Sequence, residues 1–283
     1  MTKSYTAKTL FEEGLRILHN TSIQNPRLDC MLLFEKATQI KRIDLICNPD
    51  QPISSEQKDC FIALIQRRIT YEPISHILGM REFWSLPFFV TKDTLDPRPD
   101  SETLINASIE QFADKQKMLK ILDLGTGTGC LLISLLKEYP NAFGLGVDIS
   151  YKTLQITQKN INYHNLSDKA YLLNTNWTEA INTTFDLIIS NPPYIPLKDK
   201  DILQPDVRLF DPEKALYAGD DGLICYRQIA KIVKPFLAPK GRIILELGIH
   251  QKDDVVSIFQ KNGFNYFESR KDLQNIDRAL IIY

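Results

Sequence analysis

The chain has 283 residues, enough for one large domain or two, and its 43% hydrophobic and 24% charged residues exclude disorder as the main theme. A formal net charge of -1 and a pI of about 6.4 exclude the global basic signature of a protein that holds nucleic acid by its phosphates, leaving room only for a local patch. No apolar run approaches the length needed to cross a membrane, and no apolar core follows the N-terminal lysines, so a cytoplasmic protein is expected.

Up to about Gly79 the pattern is helical. Leu10, Phe11, Leu15 and Leu18 fall on one face of a first helix, and Asn25-Pro26 gives a cap and first turn to a second helix carrying Met31, Leu32 and Phe34. Ser54 and Gln57 form a capping-box pattern ahead of Phe61, Leu64 and Ile65. Residues 1–80 therefore read as a small helical bundle. From Glu82 to Val90 the chain turns aromatic and β-prone around Pro87, which predicts an edge hairpin, with 81–98 as a linker between two domains. Pro97-Arg98-Pro99-Asp100-Ser101-Glu102 then makes a rigid bend, with a cap at Asp100 or Ser101 and a helix through Leu104, Ile105 and Ile109.

Residues 99–283 alternate strands with helices. A strand from Leu119 to Leu124 runs into Gly125-Thr126-Gly127-Thr128-Gly129 and then a helix with Leu131, Leu132, Leu135 and Leu136. Glycines at that junction let a ligand approach the backbone and the helix N-terminus closely. A second strand, Phe143 to Val147, ends in Asp148, placed to accept both hydroxyls of an adenosine ribose, while Ser150 caps the next helix. The glycine turn alone leaves nicotinamide and other nucleoside cofactors open, and its Gly-x-Gly-x-Gly form behind Asp123 leans towards S-adenosylmethionine. A third strand, Ala170 to Leu173, ends in Asn174-Thr175-Asn176-Trp177, whose indole either stacks on adenine or is half-buried packing.

A fourth strand, Phe185 to Ile189, leads to Ser190-Asn191-Pro192-Pro193-Tyr194. Two prolines stop the ladder and hold the preceding residues extended. The Asn191 side-chain oxygen and the Pro192 main-chain oxygen could then accept both protons of one planar NH₂ group, with Tyr194 lying against it. That grip orients a nitrogen whose lone pair is delocalised, by preorganised electrostatics rather than by a base. Pro196 to Tyr217 follows as a long polar connection, then a helix from Gly222 to Phe236 and a strand from Gly241 to Leu247. Two β-type segments, Phe264 to Ser269 and Ala279 to Tyr283, suit an antiparallel edge on a mainly parallel α/β sheet.

Cys30, Cys47, Cys60, Cys130 and Cys225 are an odd, scattered set without a Cys-x-x-Cys pair, four of them in helical patterns, and read as reduced core residues. His19, His76, His164 and His250 show no metal-ligand spacing, and no metal is expected.

Five stretches together carry a resemblance: Ile74 to Leu86, Pro97 to Glu102, Asp123 to Gly129, Asn191 to Pro196, and Ala215 to Gly222. They resemble the class I S-adenosylmethionine-dependent methyltransferases, and within them the release-factor glutamine methyltransferases of the PrmC or HemK type. The resemblance implies a Rossmann-like methyltransferase domain at 99–283 and a helical substrate-docking domain at 1–80, joined by the hairpin linker at 81–98. It also implies methylation of the glutamine amide nitrogen in the Gly-Gly-Gln motif of class I peptide-chain release factors, with S-adenosyl-L-homocysteine as product. By position, Gly125, Thr126, Gly127, Thr128, Gly129, Asp148, Trp177 and Asn191 would contact the cofactor, and Asn191, Pro192, Pro193 and Tyr194 the glutamine. Asn191 and Pro192 would be catalytic. Two positions depart from the family pattern: Asn176 stands where an Asp is common, and Ser101 where a Thr is. The rival readings are a nucleic-acid amino-methyltransferase of the adenine N6 type, which the charge balance and the lack of an added DNA-reading module oppose, and a non-catalytic cofactor-binding relative, which an intact Asn191 opposes. No stable nucleic-acid partner and no membrane partner are expected.

Overall fold

Helix formation in the N-terminal part follows from caps the sequence carries. In the computed structural model, which describes residues 5–283, the chain divides into two units, one formed by residues up to Gly79 with Gln204–Phe210, the other by Met80–Leu203 with Asp211–Tyr283. The first unit contains α1 (Ala7–His19), α2 (Pro26–Thr38), α3 (Arg42–Cys47), α4 (Ser55–Ile69) and α5 (Ile74–Leu78). Ser54 and Gln57 make the expected reciprocal box, at 3.2 and 3.0 Å. Pro26 opens α2 as anticipated, but Asn25 makes no side-chain cap bond. Phe34 takes Phe11 and Phe61 edge-on at centroid distances of 5.8 and 5.5 Å, and Leu10, Leu18, Leu33 and Ile65 complete the core.

The second unit begins with a hairpin, β1 (Met80–Phe83) and β2 (Leu86–Phe89), and continues through α6 (Glu102–Gln111), β3 (Lys120–Leu124), α7 (Cys130–Glu138), β4 (Phe143–Asp148), α8 (Tyr151–Tyr163), β5 (Ala170–Asn174) and β6 (Phe185–Ser190). After α9 (Pro205–Phe210), which groups with the first unit, come α10 (Glu213–Leu216), α11 (Ile224–Ile232), β7 (Leu237–Glu246), α12 (Lys252–Lys261), β8 (Phe267–Lys271) and β9 (Asp277–Ile282). The large sheet has the order β5-β4-β3-β6-β7-β9-β8, parallel from β5 to β7 and antiparallel at β9 and β8, as the strand pattern predicts. Its central strands are buried on both faces, which is why Ile121, Leu122, Ile188 and Ile189 form near-continuous apolar runs.

Three readings need adjustment. The hairpin expected as a linker is packed into the second unit, with Phe83 and Phe88 buried in the cluster that holds Leu132 and Ile189. The polar connection from Pro196 to Tyr217 is not irregular, since a 3-10 turn at Leu197–Ile202 precedes α9 and α10. The cysteines are unpaired, yet Cys47 and Cys60 are exposed rather than core. Cys60 sits one position from buried Phe61, about 100° round the helix, and α3, which carries Cys47, buries none of its residues.

In the first unit, Arg68 donates to Asp29 at 2.7 Å with both side chains buried. Arg68→Met removes one partner and leaves a buried carboxylate alone, so it is expected to destabilise the helical unit by about 3–5 kcal/mol, measurable by denaturant titration followed by far-UV circular dichroism.

Candidate active site

The sheet order reverses at β3 and β6. From β3 the chain moves outward to β4 and β5, and from β6 it moves the other way to β7, which opens a crevice outside the carboxyl ends of the two middle strands. Five adjacent parallel strands deliver polar groups there: Trp177 just beyond β5, Asp148 from β4, the glycine turn after β3, Asn191 after β6 and Glu246 from β7. A cavity of about 430 Å³ occupies the crevice, a size suited to a small-molecule ligand.

The glycine turn is held from two sides. Gly125, Gly127 and Gly129 have φ of 73°, 57° and 81°, which side chains with a Cβ rarely adopt. The Gly125 and Thr126 N–H groups donate to the Val147 carbonyl at 3.0 and 2.9 Å, and Asp148 accepts from the Gly127 N–H at 3.2 Å and the Ser150 N–H at 2.8 Å. Burial raises the Asp148 carboxyl above its ordinary range and pushes that of Asp123, which accepts from Thr126 Oγ1 at 2.7 Å, up to about 7.

On the other side lies a polar stripe of α8. Ser150 caps that helix, as expected, by accepting from the Thr153 N–H at 3.3 Å. Thr153, Thr157, Asn160 and the C-terminal His164 share one face and are all buried. Thr157 donates to the Gly127 carbonyl at 2.7 Å, and Asn160 to the Thr128 and Phe89 carbonyls at 2.8 and 3.1 Å. Thr153 donates to the Asp93 carbonyl at 2.8 Å, and His164 Nε2 to that of Pro87 at 2.8 Å. One helix face thus fastens both the glycine turn and the segment from the hairpin to Asp93, which borders the same cavity.

At the other end of the crevice Asn191 Nδ2 donates to Ser101 Oγ at 3.1 Å, and Ser101 in turn donates to Glu246 Oε2 in a very short bond. Tyr194 donates to Glu246 Oε1 at 3.1 Å, and Tyr226 to the Glu246 main-chain carbonyl at 2.8 Å. Glu246 is 1% exposed, and burial raises its carboxyl, against the pull of Ser101, Arg278 and Tyr194. Gly222 lets the chain close on Tyr194, because a Cβ there would collide with the Tyr194 carbonyl.

Of the residues singled out from sequence, Gly125, Thr126, Gly127, Thr128, Asp148, Trp177, Asn191 and Pro193 line one cavity. Gly129, Pro192 and Tyr194 are not in its lining. Gly129 is needed instead for the close approach of Thr157, Pro192 is buried, and the Tyr194 ring packs into the apolar cluster with its hydroxyl on Glu246. Tyr194 is thus anchored at its hydroxyl by Glu246. Trp177 is half-buried, with Nε1 donating to Gln228 at 2.9 Å, and Asn176 uses Nδ2 on Glu179 at 3.3 Å. Sequence reasoning missed Glu246 and the α8 stripe, and of its two cap candidates, Asp100 and Ser101, the Ser101 side chain makes no cap bond. A clue to the stripe was present in the spacing Thr153, Thr157, Asn160, His164.

Two family models match the chain, that of the PrmC N-terminal domain over residues 9–79 and that of the methyltransferase small domain over 85–205. The release factor glutamine methyltransferase of Agrobacterium fabrum is 38% identical over 266 residues, covering 93% of this chain and 92% of its own. That of Rhodospirillum rubrum is 38% identical over 272 residues, covering 96% and 83%. Among solved structures, the hMettl16 catalytic domain in complex with the MAT2A 3′UTR hairpin 6 superposes with a TM-score of 0.61 at 16% identity over 76% of this chain and 83% of that one, a likeness of fold.

Thr157→Val keeps the side-chain shape but leaves the Gly127 carbonyl without its donor. The expected cost is about 1–2 kcal/mol, read by calorimetry as a fall in Tm of about 2–6 °C.

Proposed function

We propose that this chain, which belongs to the release factor glutamine methyltransferase family, uses S-adenosyl-L-methionine to methylate the side-chain nitrogen of the glutamine in the Gly-Gly-Gln motif of class I peptide-chain release factors. The observation that carries this reading is that Asn191 lines the same cavity as the glycine turn and Asp148, so a planar amide gripped at Asn191 and an adenosine cofactor would share one space. When bound, the cofactor supplies a sulfonium methyl group and leaves as S-adenosyl-L-homocysteine.

The residues present suit such a cofactor. The turn from Gly125 to Gly129 offers bare backbone at a helix N-terminus, and Asp148 offers a carboxylate to ribose hydroxyls. Trp177 offers an aromatic wall. Asn176, with its Nδ2 directed to Glu179, keeps its oxygen for an adenine amino group. Lys92 and Lys214 bring positive charge to the cavity, which suits the carboxylate of an amino-acid tail.

On the substrate side, Asn191 Oδ1 and the Pro192 carbonyl take the two protons of the glutamine NH₂ and hold its nitrogen in line with the methyl group. Accepting both N–H bonds favours the positive charge that grows on nitrogen as it attacks, so the rate gain comes from alignment and electrostatics. No side chain has to act as a strong base. The proton leaves to solvent after transfer, when the nitrogen is far more acidic. A release-factor substrate also favours the cytoplasm as the place of action.

The test is peptide mass spectrometry on an unmethylated release factor incubated with the protein and S-adenosylmethionine. A methyl group on the Gly-Gly-Gln glutamine is expected, and its absence under conditions where the cofactor binds would refute the reading. Asn191→Ala is expected to lower kcat by about 100-fold or more with the cofactor Kd little changed.

Asp148→Asn should raise the cofactor Kd by about 10- to 100-fold. Because burial raises the Asp148 carboxyl and hydroxyl donors need it ionised, wild-type affinity should fall as pH drops through that raised value. The Asp148→Asn protein should lack this acid limb, and calorimetric titration across pH would show either outcome.

A further inference from the structure

We propose that Ser101 and Glu246 are positioning residues that fix which end of the Asn191 amide faces the substrate, making the site selective for an amide over a carboxylate. The proposal rests on the glutamine reading above. An asparagine side chain is nearly symmetric in shape, with an acceptor at one end and a double donor at the other, so only its partners decide how it stands.

Those partners leave one choice. With Glu246 ionised, the form Arg278 favours, its carboxylate only accepts, so the Ser101 hydroxyl donates its one proton to Glu246 Oε2. Ser101 Oγ can then only accept, so the amide must turn Nδ2 towards it, as it does at 3.1 Å. No described residue donates to Asn191 Oδ1, which stays open as an acceptor. The other Glu246 oxygen takes the Tyr194 hydroxyl at 3.1 Å, so neither oxygen is free to swing away.

The consequence reaches the substrate. Asn191 Oδ1, held as an acceptor towards the cavity that Asn191 lines, matches an NH₂ and repels a carboxylate, so a glutamate in place of the glutamine finds no donor there. Without the relay the amide can rotate, present Nδ2 to the cavity and tolerate the carboxylate.

The charged and titratable groups around Glu246 are Arg278 on β9, which also pairs with Asp272 at 3.1 Å and Asp100 at 3.5 Å, together with Tyr194, Tyr226 and Cys130. Arg278 favours the ionised carboxylate and Asp100 opposes it. Protonating Glu246 turns one of its oxygens into a donor and removes the polarity, so kcat should fall as pH drops through the raised Glu246 value.

The experiment uses the full-length protein with a release factor carrying Gly-Gly-Gln as substrate and the same factor carrying Gly-Gly-Glu as competitor. Wild type should prefer the glutamine form by about 100-fold, KM against Ki, as expected of a site built around hydrogen bonds to an NH₂ group. Ser101→Ala should lower kcat by about 10- to 100-fold, narrow that preference to about tenfold and leave the cofactor Kd within about threefold. Ser101→Thr restores the hydroxyl and should recover most of the loss, and Glu246→Gln should abolish the acid limb. If Glu246→Gln does not fold, Ser101→Ala carries the test. A Ser101→Ala protein with wild-type kcat and selectivity overturns the relay and leaves the glutamine reading standing. A wild-type protein that leaves the Gly-Gly-Gln glutamine unmethylated overturns both.

Discussion

The pairing of β3 with β6, with Asp123 opposite Ile189, is the constraint on which the candidate site depends. It sets the glycine turn and Asn191 beside each other although they lie more than 60 positions apart in the chain. The register is enforced by burial. Leu122 and Ile188, a matched pair, are fully buried, and their neighbours pack against the other face of the sheet, so a slip of one residue would turn apolar side chains away from their packing partners on both faces. Ser190 adds a polar lock by donating to the Leu124 carbonyl at 2.6 Å, at the level where both strands give way to the turns.

Much of this organisation is legible in the sequence because it is local. Strand and helix periods, the glycine turn after β3 and the double proline after β6 are each written within a dozen residues. Asp148 and Trp177 can be placed for the same reason, as residues just past strand ends. What cannot be read are the partners. Ser101 and Glu246 are separated by 145 positions and Asn191 from Ser101 by 90, and no pattern within one segment reports a hydrogen bond across such distances. Ser101 illustrates the ambiguity: a serine between a proline bend and an apolar helix looks like a cap, yet its hydroxyl faces Glu246 and the 3-10 turn Pro99–Ser101 starts the helix. The packing of Tyr194 is equally hidden, since only the fold shows that Gly222 and Gly248 let the chain close around it.

Several polar groups buried in the second unit are held by hydroxyls or main chain rather than by paired charges alone. Asp123 leans on Thr126, Glu246 on Ser101 and Tyr194, and the α8 stripe on five carbonyls of neighbouring segments. Such bonds contribute little net stability each, but leaving one unmade in the interior costs the full desolvation of the orphaned group. The effect is to fix orientation. Main-chain segments bordering the cavity cannot drift without breaking buried bonds, which suits a reaction whose rate gain comes from alignment.

A carboxylate behind the site rather than in it also makes chemical sense. If Glu246 stood where Asn191 stands, it would accept from the substrate NH₂ strongly, but its net charge would also lie close to the glycine turn and add to the burden on Asp148 and Asp123, whose carboxyls burial already raises. Interposing Ser101 and the Asn191 amide passes the polarity of the carboxylate forward without its full charge. The acceptor that meets the substrate is then a neutral oxygen of fixed direction, and the charge remains beside Arg278 at the end of β7, where the sheet can hold it.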